Sequence, residues 1–400
     1  MILSVDRCYT SAVHSMLTGL IAVSATLGAG SGSAMSPTPP SSTQRARFDV
    51  LGLPLRQPGF HVVWGLSVLD SLIALSSGIH GDAMADARAW NGESWVSTEP
   101  PGGQHSELYD VDASTAADAW AVGDVRGQSL AAHWDGRNWA KSSTPAAEAG
   151  YADSLSSVSV AARDDVWAVG YSFRYDEYVF DPLVEHWNGH RWTKTEIELP
   201  GNGNGHGYLS AVSVIDADDA YAVGIFGSAG AWIEHWDGED WTPERDVPPH
   251  GGGDVFRALA TLADDDVWAV GASSTGTVTV HWNGQRWRPV RSPDARARDG
   301  ANSLLYGVTG ASAHDVWAVG YSGDFYVARH TFILHWDGNR WARVPAPSPG
   351  RKYNALYAVS AARPDDVWAG GYFSNADSQD DTLPLYLHWN GEKWVHVQQR

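Results

Sequence analysis

A motif that recurs along the chain constrains the fold of this protein more than any other feature of its sequence. Each copy reads D-D-V-W-A-V-G or a close variant, then a variable stretch, then H-W-[DN]-G-x-x-W and a Pro-rich gap. Repeats of about 50 residues that contain several short apolar strands indicate the blades of a β-propeller rather than a helical solenoid. The first aromatic residue of the motif recurs six times, as Trp120, Trp167, Tyr221, Trp268, Trp317 and Trp368.

A degraded copy precedes these six. Leu66–Ser76 corresponds to the first half of the motif and Trp90–Trp95 to the second half, with Ile73 in place of the first Trp and Ala89 in place of the His. A four-stranded sheet cannot bury both of its faces alone, so neighbouring sheets must stack around a ring. The sequence therefore predicts an all-β protein, a β-propeller of four-stranded antiparallel blades. Seven blades are expected if the degraded copy counts, with six as the alternative.

The second repeat shows how the strands of a blade are placed. Four segments of this repeat either alternate between apolar and polar residues or are continuously apolar, which predicts β-strands. From the innermost outwards, strands A, B, C and D are predicted at Leu155–Ala161, Val166–Tyr171, Leu183–Trp187 and Arg191–Ile197. Asn188–Gly189 is predicted to be a two-residue hairpin turn between strands C and D, with positive φ at both positions.

The N-terminal segment has the features of an export signal. Met16–Gly30 is a short apolar run followed by small residues, and Gly32 and Ala34 suit the −3 and −1 positions of a signal peptidase site. Residues 1–34 are therefore predicted to be a signal peptide, and the protein to be secreted. The only cysteine, Cys8, lies inside this segment, so the mature chain would contain no disulfide. A Pro/Ser-rich linker is predicted at 35–59 and the propeller at 60–400, with repeats at about 60–100, 106–145, 153–200, 207–248, 254–293, 303–347 and 354–397.

Charge narrows the classes of partner. The chain has 47 acidic and 27 basic side chains, for a net charge of −20. Such a surface repels phosphate backbones and anionic lipid headgroups, so neither nucleic acid nor membrane insertion is expected. The 43% hydrophobic composition is sufficient for a substantial core. We expect a monomer with a glycan or an extracellular protein as its partner.

The motif D-D-V-W-A-V-G with H-W-D-G-x-x-W resembles the repeats of secreted bacterial β-propellers, which are loosely similar to kelch and galactose-oxidase propeller domains. The resemblance covers roughly residues 60–397 and implies the fold rather than a function. Kelch blades carry a double glycine after strand B, and among the six complete copies only Gly370–Gly371 matches that pattern. Copper-radical chemistry of the galactose-oxidase type needs a Cys–Tyr crosslink, which a mature chain without cysteine cannot form.

The repeated aromatic and His residues are interpreted as scaffold. Nineteen of the 21 Trp fall on template positions, as expected for residues that pack between blades rather than bind sugar. The repeated His residues are spread around the ring and cannot converge on one metal ion. Each is expected to hydrogen-bond a repeated Asp, and the pairs are His133 with Asp118, His186 with Asp165, His235 with Asp219, His281 with Asp266, His335 with Asp315 and His388 with Asp366.

Function is expected where the repeats differ. The A–B and C–D turns are short and uniform, whereas length varies in the B–C and D–A connections, which share the opposite face. Mixed aromatic, arginine and carboxylate groups in these loops suit a carbohydrate ligand. The predicted ligand-binding residues are Arg174, Tyr175, Asp176, Glu177 and Tyr178 in the second repeat, His206 before the third, Phe325, Tyr326 and Arg329 in the fifth, and Asp377 in the sixth.

Signals for cofactors and catalysis are weak. Asn375, Asp377, Gln379 and Asp381 alternate like the start of a calcium loop, but the expected sixth-position Gly is Asp380 and the twelfth-position Glu is absent. No cofactor or metal is therefore predicted, with calcium at this loop as the alternative. No catalytic motif occurs and no catalytic residue is assigned. The sequence favours a glycan-binding module, with a polysaccharide hydrolase or lyase and a protein-interaction propeller as alternatives.

Overall fold

The described part of the chain consists of β-strands joined by short turns and loops. The computed structural model describes residues 60–68, 72–79, 85–90, 95–98, 102–103, 105–200, 206–227, 230–248, 254–274, 276–294, 303–324, 328–375 and 382–397. The predicted signal peptide and linker lie outside these residues. Within them, no helix is long and apolar enough to cross a membrane.

The strands form four-stranded antiparallel sheets whose strand order follows the chain. The first sheet contains β1 Phe60–Val68, β2 Leu72–Ile79, β3 Ala85–Trp90 and β4 Trp95–Ser97. Blades 1 to 3 contain β5 Ser106–Thr115, β6 Asp118–Val125, β7 Gln128–Trp134 and β8 Trp139–Ser142; β9 Tyr151–Ala162, β10 Asp165–Arg174, β11 Val179–Trp187 and β12 Trp192–Lys194; and β13 Gly207–Asp216, β14 Asp219–Phe226, β15 Gly230–Trp236 and β16 Trp241–Pro243. Blades 4 to 6 contain β17 Val255–Ala263, β18 Asp266–Ser273, β19 Gly276–Trp282 and β20 Trp287–Pro289; β21 Ser303–Ser312, β22 Asp315–Asp324, β23 Ala328–Trp336 and β24 Trp341–Arg343; and β25 Tyr353–Arg363, β26 Asp366–Ser374, β27 Leu383–Trp389 and β28 Trp394–His396.

The expected count of seven blades is corrected to six complete blades, the alternative considered from the sequence. Blades 1 to 6 carry the His–Asp pair of the motif. The degraded copy does form a four-stranded sheet, which lies between β5 of blade 1 and β25 of blade 6. In that sheet Ile73 pairs with Ala89, at the register where Trp120 pairs with His133 in blade 1. The first sheet therefore cannot form the polar pair that defines a complete blade.

Blade 2 differs from the prediction mainly in the turn between strands C and D. All four strands of the second repeat are present, although strand D is only the three residues of β12. Trp187 pairs with Trp192, so the turn has four residues instead of two. The Asn188 side-chain oxygen accepts hydrogen bonds from the N–H groups of His190 and Arg191, both at 3.1 Å. Only the glycine, Gly189, has a positive φ in this turn, at 84°. The Asn is therefore selected as a hydrogen-bond acceptor and not for a left-handed backbone.

The repeated Trp residues hold neighbouring blades together. Trp167 of β10 is buried and stacks on His186 of its own blade, with ring centroids 4.1 Å apart. It also contacts Trp236 and Trp241 of blade 3, at 4.9 and 5.2 Å. Equivalent pairs of contacts to the next blade are made by Trp120, Trp268 and Trp317. The predicted packing role is confirmed for these residues.

The predicted His–Asp pairs are confirmed in all six complete blades. The His Nε2 atom lies between 2.5 and 2.9 Å from the Asp Oδ1 atom in each pair. Each Asp begins strand B and each His lies on strand C, so the hydrogen bond ties these strands together beside the A–B turn. The hydrogen bond from His388 contributes most to lowering the pKa of Asp366. These residues are structural.

Side-chain hydrogen bonds also join the innermost strands around the ring. The buried Asp110 carboxylate of blade 1 accepts from Ser157 Oγ at 2.7 Å and from the Val158 N–H at 3.0 Å. Ser157 in turn accepts from the Val212 N–H of blade 3, at 3.3 Å. Burial raises the pKa of Asp110 well above its usual range. The inner wall of the ring is thus fixed by directional bonds as well as by apolar packing.

Candidate functional site

The two faces of the propeller carry different kinds of connection. We call the face formed by the A–B and C–D turns the turn face, and the face formed by the B–C and D–A connections the loop face. The B–C connection of blade 1 is the two-residue turn Arg126–Gly127, in which both residues have positive φ. The corresponding loop of blade 2 is the four-residue segment from Tyr175 to Tyr178. Variation between repeats is therefore concentrated on the loop face.

A β-bulge at the same place in each complete blade leaves one residue of strand A without a partner on strand B. In β9, Leu155 pairs with Gly170 and Ser157 pairs with Val169, so Ser156 has no partner on β10. A Cβ atom on Gly170 would lie 2.0 Å from the Ser154 carbonyl oxygen, so the strand-B glycine of the motif is required by this close approach. The equivalent bulge residues are Tyr109, Ser156, Ser210, Arg257, Tyr306 and Tyr357.

Tyrosine side chains from several blades meet inside the ring. Tyr109 of blade 1 and Tyr306 of blade 5 belong to one packed cluster although their blades are not neighbours, so the cluster lies at the channel axis. The ring centroids of Tyr306 and Tyr357 are 4.9 Å apart, and those of Tyr306 and Tyr321 are 5.7 Å apart. This tyrosine cluster comprises Tyr109, Tyr306, Tyr321, Tyr353, Tyr357 and Tyr372, with Tyr208 packed against it.

The blade 1 side of the cluster is acidic. The Tyr109 hydroxyl lies 2.7 Å from Glu107 Oε2 and 3.0 Å from Asp124 Oδ2. Burial, together with these two carboxylates, raises the pKa of Tyr109 well above its usual range. The hydroxyl therefore stays protonated and acts as a hydrogen-bond donor at neutral pH. Glu107 and Asp124 are only partly buried, and Asp124 Oδ2 also accepts a hydrogen bond from Ser154 Oγ at 3.3 Å.

The opposite side of the cluster is basic. Arg257 of β17 lies over the Tyr306 ring, with its guanidinium carbon 5.7 Å from the ring centroid. Arg329 of β23 lies over the Tyr321 ring at 4.9 Å, and its Nη1 donates to the Tyr372 hydroxyl. Arg329 was predicted to be a loop residue, but it is 1% exposed and part of this buried group.

The other predicted residues of blade 2 form an ion-pair network on the loop face. Arg174 donates to Asp181 through Nε at 3.0 Å and Nη2 at 2.9 Å, and its Nη1 lies 3.0 Å from Glu177 Oε1. His206 Nδ1 lies 3.2 Å from Asp181 Oδ1, which brings the connection into blade 3 against this loop. Asp176 is exposed at the loop tip. The structure thus brings Arg174, Glu177 and His206 together on the loop face.

Aromatic side chains connect this loop with the channel mouth. Tyr175 and Tyr178 are 53% and 64% exposed, and both rings contact Phe173, at 5.4 and 6.3 Å. Phe173 contacts Phe180 at 4.9 Å, and Phe180 contacts Tyr208 at 6.3 Å. We call this series the aromatic path. It joins the exposed loop tip to the tyrosine cluster.

Three predicted residues, Phe325, Tyr326 and Asp377, lie outside the described residues. Most of the proposed calcium loop does too, since only Asn375 of its four candidate ligands is described. Among the described residues, no group of three or more His, Cys, Asp or Glu side chains is arranged to hold a metal ion.

Sequence reasoning missed the residues of the channel mouth. One position in strand A could have indicated them, namely the residue directly after the first buried apolar residue of the strand. This residue differs between repeats, whereas the apolar residue before it is conserved in character. It is Tyr in Leu108-Tyr109, Ser in Leu155-Ser156 and Arg in Phe256-Arg257. Without the bulge, an inward direction could not be assigned to this position, because strand alternation alone gives the wrong phase.

Comparison with known proteins identifies the fold. No protein-family model and no curated protein matches the chain. The structure of U3-55K is similar at 12% identity, with 86% of this chain and 99% of that chain covered and a TM-score of 0.54. The WD40 repeats of RRP9 are similar at 11% identity, with 82% of this chain and 94% of that chain covered and a TM-score of 0.52. A fucose-specific lectin from Aleuria aurantia is similar at 10% identity, with 84% of this chain and 95% of that chain covered and a TM-score of 0.47. The first two likenesses support a β-propeller of repeated four-stranded blades.

Proposed function

We propose that this protein is an exported binding module that recognises an extracellular glycan, such as a cell-wall polysaccharide, on its loop face. The observation that carries the proposal is the aromatic path from Tyr175 and Tyr178 to Tyr208 at the channel mouth. Large exposed aromatic rings are costly to leave in water, and the described residues expose few of them. Their position on the divergent face, beside charged groups, supports a ligand-binding role.

The chemistry of the surface suits sugars. The flat faces of Tyr175 and Tyr178 can stack on the C–H faces of pyranose rings, and their hydroxyls add polar contacts. Arg174, Asp181 and His206 hold one another through hydrogen bonds, so they would present donors and acceptors to sugar hydroxyls in a fixed geometry. Because only one blade carries this set among the described loops, we favour a single composite site over repeated sites between blades.

Export is part of the proposal. It is supported by the apolar N-terminal run that ends at Ala34 and by the absence of cysteine after Cys8. Sequencing the N-terminus of the protein recovered from the culture medium tests it. A mature chain that begins at Met35 is the expected result, and retention of the intact N-terminus inside cells would contradict export.

A polysaccharide array tests the glycan proposal, with the purified chain probed in calcium-containing and calcium-chelated buffers. We expect saturable binding to one class of glycan. The Tyr175→Ala/Tyr178→Ala variant should bind at least about tenfold more weakly, because interface anchors of this kind dominate affinity. Val395→Ala is the matched control, since Val395 is an exposed apolar residue on the outer strand of blade 6. A blank array from a protein that melts cooperatively would reject the glycan ligand and favour a protein partner.

A polysaccharide hydrolase or lyase is the second candidate. It is favoured by the two carboxylates, Glu107 and Asp124, that converge on the Tyr109 hydroxyl at the channel axis. Paired carboxylates are the groups that glycoside hydrolases use. Prolonged incubation with the polysaccharide identified by the array, followed by measurement of new reducing ends, tests this candidate. Cleavage by the wild type that is lost in Glu107→Gln would support the enzyme. An unchanged polymer length would reject the enzyme and favour the binding module.

A further inference from the structure

We infer that the ligand carries an anionic group, a carboxylate or a sulfate ester, and that Arg257 at the channel mouth binds it. This inference rests on the proposed glycan-binding function and names the class of glycan, an acidic polysaccharide. It comes from a part of the loop face that the aromatic path reaches but that the sequence did not single out.

Arg257 occupies the bulge position that every complete blade has on its innermost strand. It is the bulge residue of β17, between Phe256, which pairs with Gly271, and Ala258, which pairs with Val270. The other blades place tyrosine or serine there, so the positive charge is specific to blade 4. Arg257 is partly exposed, unlike the buried Phe256 and Ala258 on either side of it.

The guanidinium group of Arg257 has unused hydrogen-bonding capacity. Its Nε and Nη1 atoms are shielded from water, and no described residue accepts a hydrogen bond from them. The neighbours that do contact the group are Tyr306, beneath it, and Tyr208, whose hydroxyl is its hydrogen-bond partner. Burial raises the pKa of Tyr208, so its hydroxyl stays neutral and cannot balance the charge.

Shielded donors without acceptors destabilise the free protein, and an oxyanion would relieve that cost. A buried polar group that lacks a hydrogen-bond partner is not compensated for the water that it has lost. The planar guanidinium presents its donors in a fork that matches the two oxygens of a carboxylate or sulfate group. A neutral sugar hydroxyl offers one oxygen instead of two to this fork and adds no charge.

The surrounding charges orient such a ligand. Arg329 lies over Tyr321, which stacks on Tyr306, so a second guanidinium flanks the same pair of rings as Arg257. The carboxylates of Glu107 and Asp124 belong to blade 1, on the other side of the ring. An acidic sugar would therefore direct its anion towards blades 4 and 5, in a protein whose net charge of −20 otherwise repels polyanions.

The direct test measures the affinity of the purified full chain for four soluble polysaccharides by isothermal titration calorimetry. The probes are polygalacturonate, the same polymer with its carboxyl groups reduced to alcohols, dextran sulfate and unmodified dextran. We expect at least one polyanion to bind at least about tenfold more tightly than its neutral counterpart, with affinity that falls as salt is added. Preference for polygalacturonate identifies a carboxylate, and preference for dextran sulfate identifies a sulfate ester.

Variants at two arginines of the same blade locate the effect. Arg257→Gln should reduce polyanion binding by about tenfold or more, because it removes a charged hydrogen-bond donor group. Arg257→Lys keeps the charge but loses the fork and should fall between Arg257→Gln and the wild type. Arg286→Gln is the matched control, since Arg286 is exposed in the turn between β19 and β20 on the turn face.

Each outcome of this test is informative. Equal binding of the charged and neutral polymers, or unchanged binding by Arg257→Gln in a protein with a wild-type melting temperature, would overturn the inference while leaving a neutral glycan ligand in place. Absence of binding to all four polymers, together with a blank polysaccharide array, would instead reject the proposed glycan function.

Discussion

The turn face and the loop face are made by the same repeats, yet they differ in what stays constant. On the turn face, every complete blade has a His–Asp pair with an Nε2 to Oδ1 distance between 2.5 and 2.9 Å. On the loop face, the B–C connection of blade 1 is a tight two-residue turn, whereas that of blade 2 is an aromatic loop with its own ion pairs. Residues that make contacts within and between blades are the same from repeat to repeat, whereas the exposed loop residues differ between repeats.

The innermost strands refine this distinction. Their bulge residues lie within regular strands but differ between blades, as Tyr109, Ser156 and Arg257 illustrate. The bulge itself is constant because the strand-B glycine allows the close backbone approach. A repeat can therefore hold its backbone fixed while varying one side chain that faces the channel, and such a position belongs functionally with the loop face.

The largest expected effect comes from removing a Trp that joins two blades. Trp317 is buried, stacks on His335 and packs against Trp389 and Trp394 of blade 6. Trp317→Ala should lower the free energy of unfolding by about 3–5 kcal/mol, measured by urea denaturation. Tyr175→Ala, on the exposed loop, should lower it by less than about 1 kcal/mol. Similar losses in the two variants would contradict the division between scaffold and loop face.

The second prediction concerns a buried position of strand C at which the residue type differs between blades. Glu234 of β15 is buried, accepts a hydrogen bond from Trp232 Nε1 at 2.6 Å, and has a second oxygen without a partner among the described residues. Burial raises the pKa of Glu234 to about 8. The folded state therefore holds a proton that the unfolded state releases near the ordinary pKa of 4.5.

The contribution of Glu234 to the free energy of unfolding is accordingly largest below its ordinary pKa of 4.5 and is lost as the pH rises towards 8. Between about pH 5 and pH 8 we expect a loss of about 2–3 kcal/mol in the free energy of unfolding from this group, within the limit of about 1.4 kcal/mol for each unit of pKa difference. Glu234→Gln should reduce this dependence, leaving the part due to the equivalent buried Glu185 of blade 2, whose pKa burial raises to about 7. Glu239→Gln, on the exposed turn of the same blade as Glu234, should leave the dependence unchanged. A wild-type profile that stays flat over this range would show that Glu234 ionises at its ordinary pKa.

The third prediction compares the same pair of residue types on the two faces. His388 and Asp366 lie 2.8 Å apart in the scaffold, whereas the more exposed His206 and Asp181 lie 3.2 Å apart on the loop face. A double-mutant cycle should give a coupling energy of about 1–2 kcal/mol for the first pair and below about 0.5 kcal/mol for the second. Because His388 lowers the pKa of Asp366, the first coupling is present above the ordinary carboxyl pKa and is lost as the pH falls through the lowered value. Equal couplings would remove the distinction.

The sequence predicted the parts of the molecule that repeat and missed those that depend on how blades meet. Trp167 and His186 were assigned to the scaffold because their spacing recurs, and the structure confirms their packing. The prediction that Asn188 has a positive φ was wrong. Asn-Gly occurs both in two-residue turns with a left-handed Asn and in longer turns in which the Asn side chain accepts hydrogen bonds, and the local sequence does not distinguish them. Residues such as Tyr109 and Tyr306 are far apart in sequence, so their meeting at the channel axis follows only from ring closure.

The last prediction concerns Tyr178 and combines a small change in stability with a several-fold change in binding. Its φ is 57°, a left-handed conformation that costs a bulky residue about 1 kcal/mol, yet its side chain is 64% exposed. Tyr178→Gly relieves that strain but increases the freedom of the unfolded chain, so the free energy of unfolding should stay within about 1 kcal/mol of the wild type.

The same variant should bind the glycan identified by the array several-fold more weakly, because it deletes an exposed end of the aromatic path. Parallel urea denaturation and calorimetric titration measure the two effects on one preparation. The left-handed backbone of the largely exposed Tyr178 is the observation that motivates this prediction. Unchanged affinity in Tyr178→Gly would mean that the loop tip is not part of the site, and it would restrict the binding surface to the channel mouth.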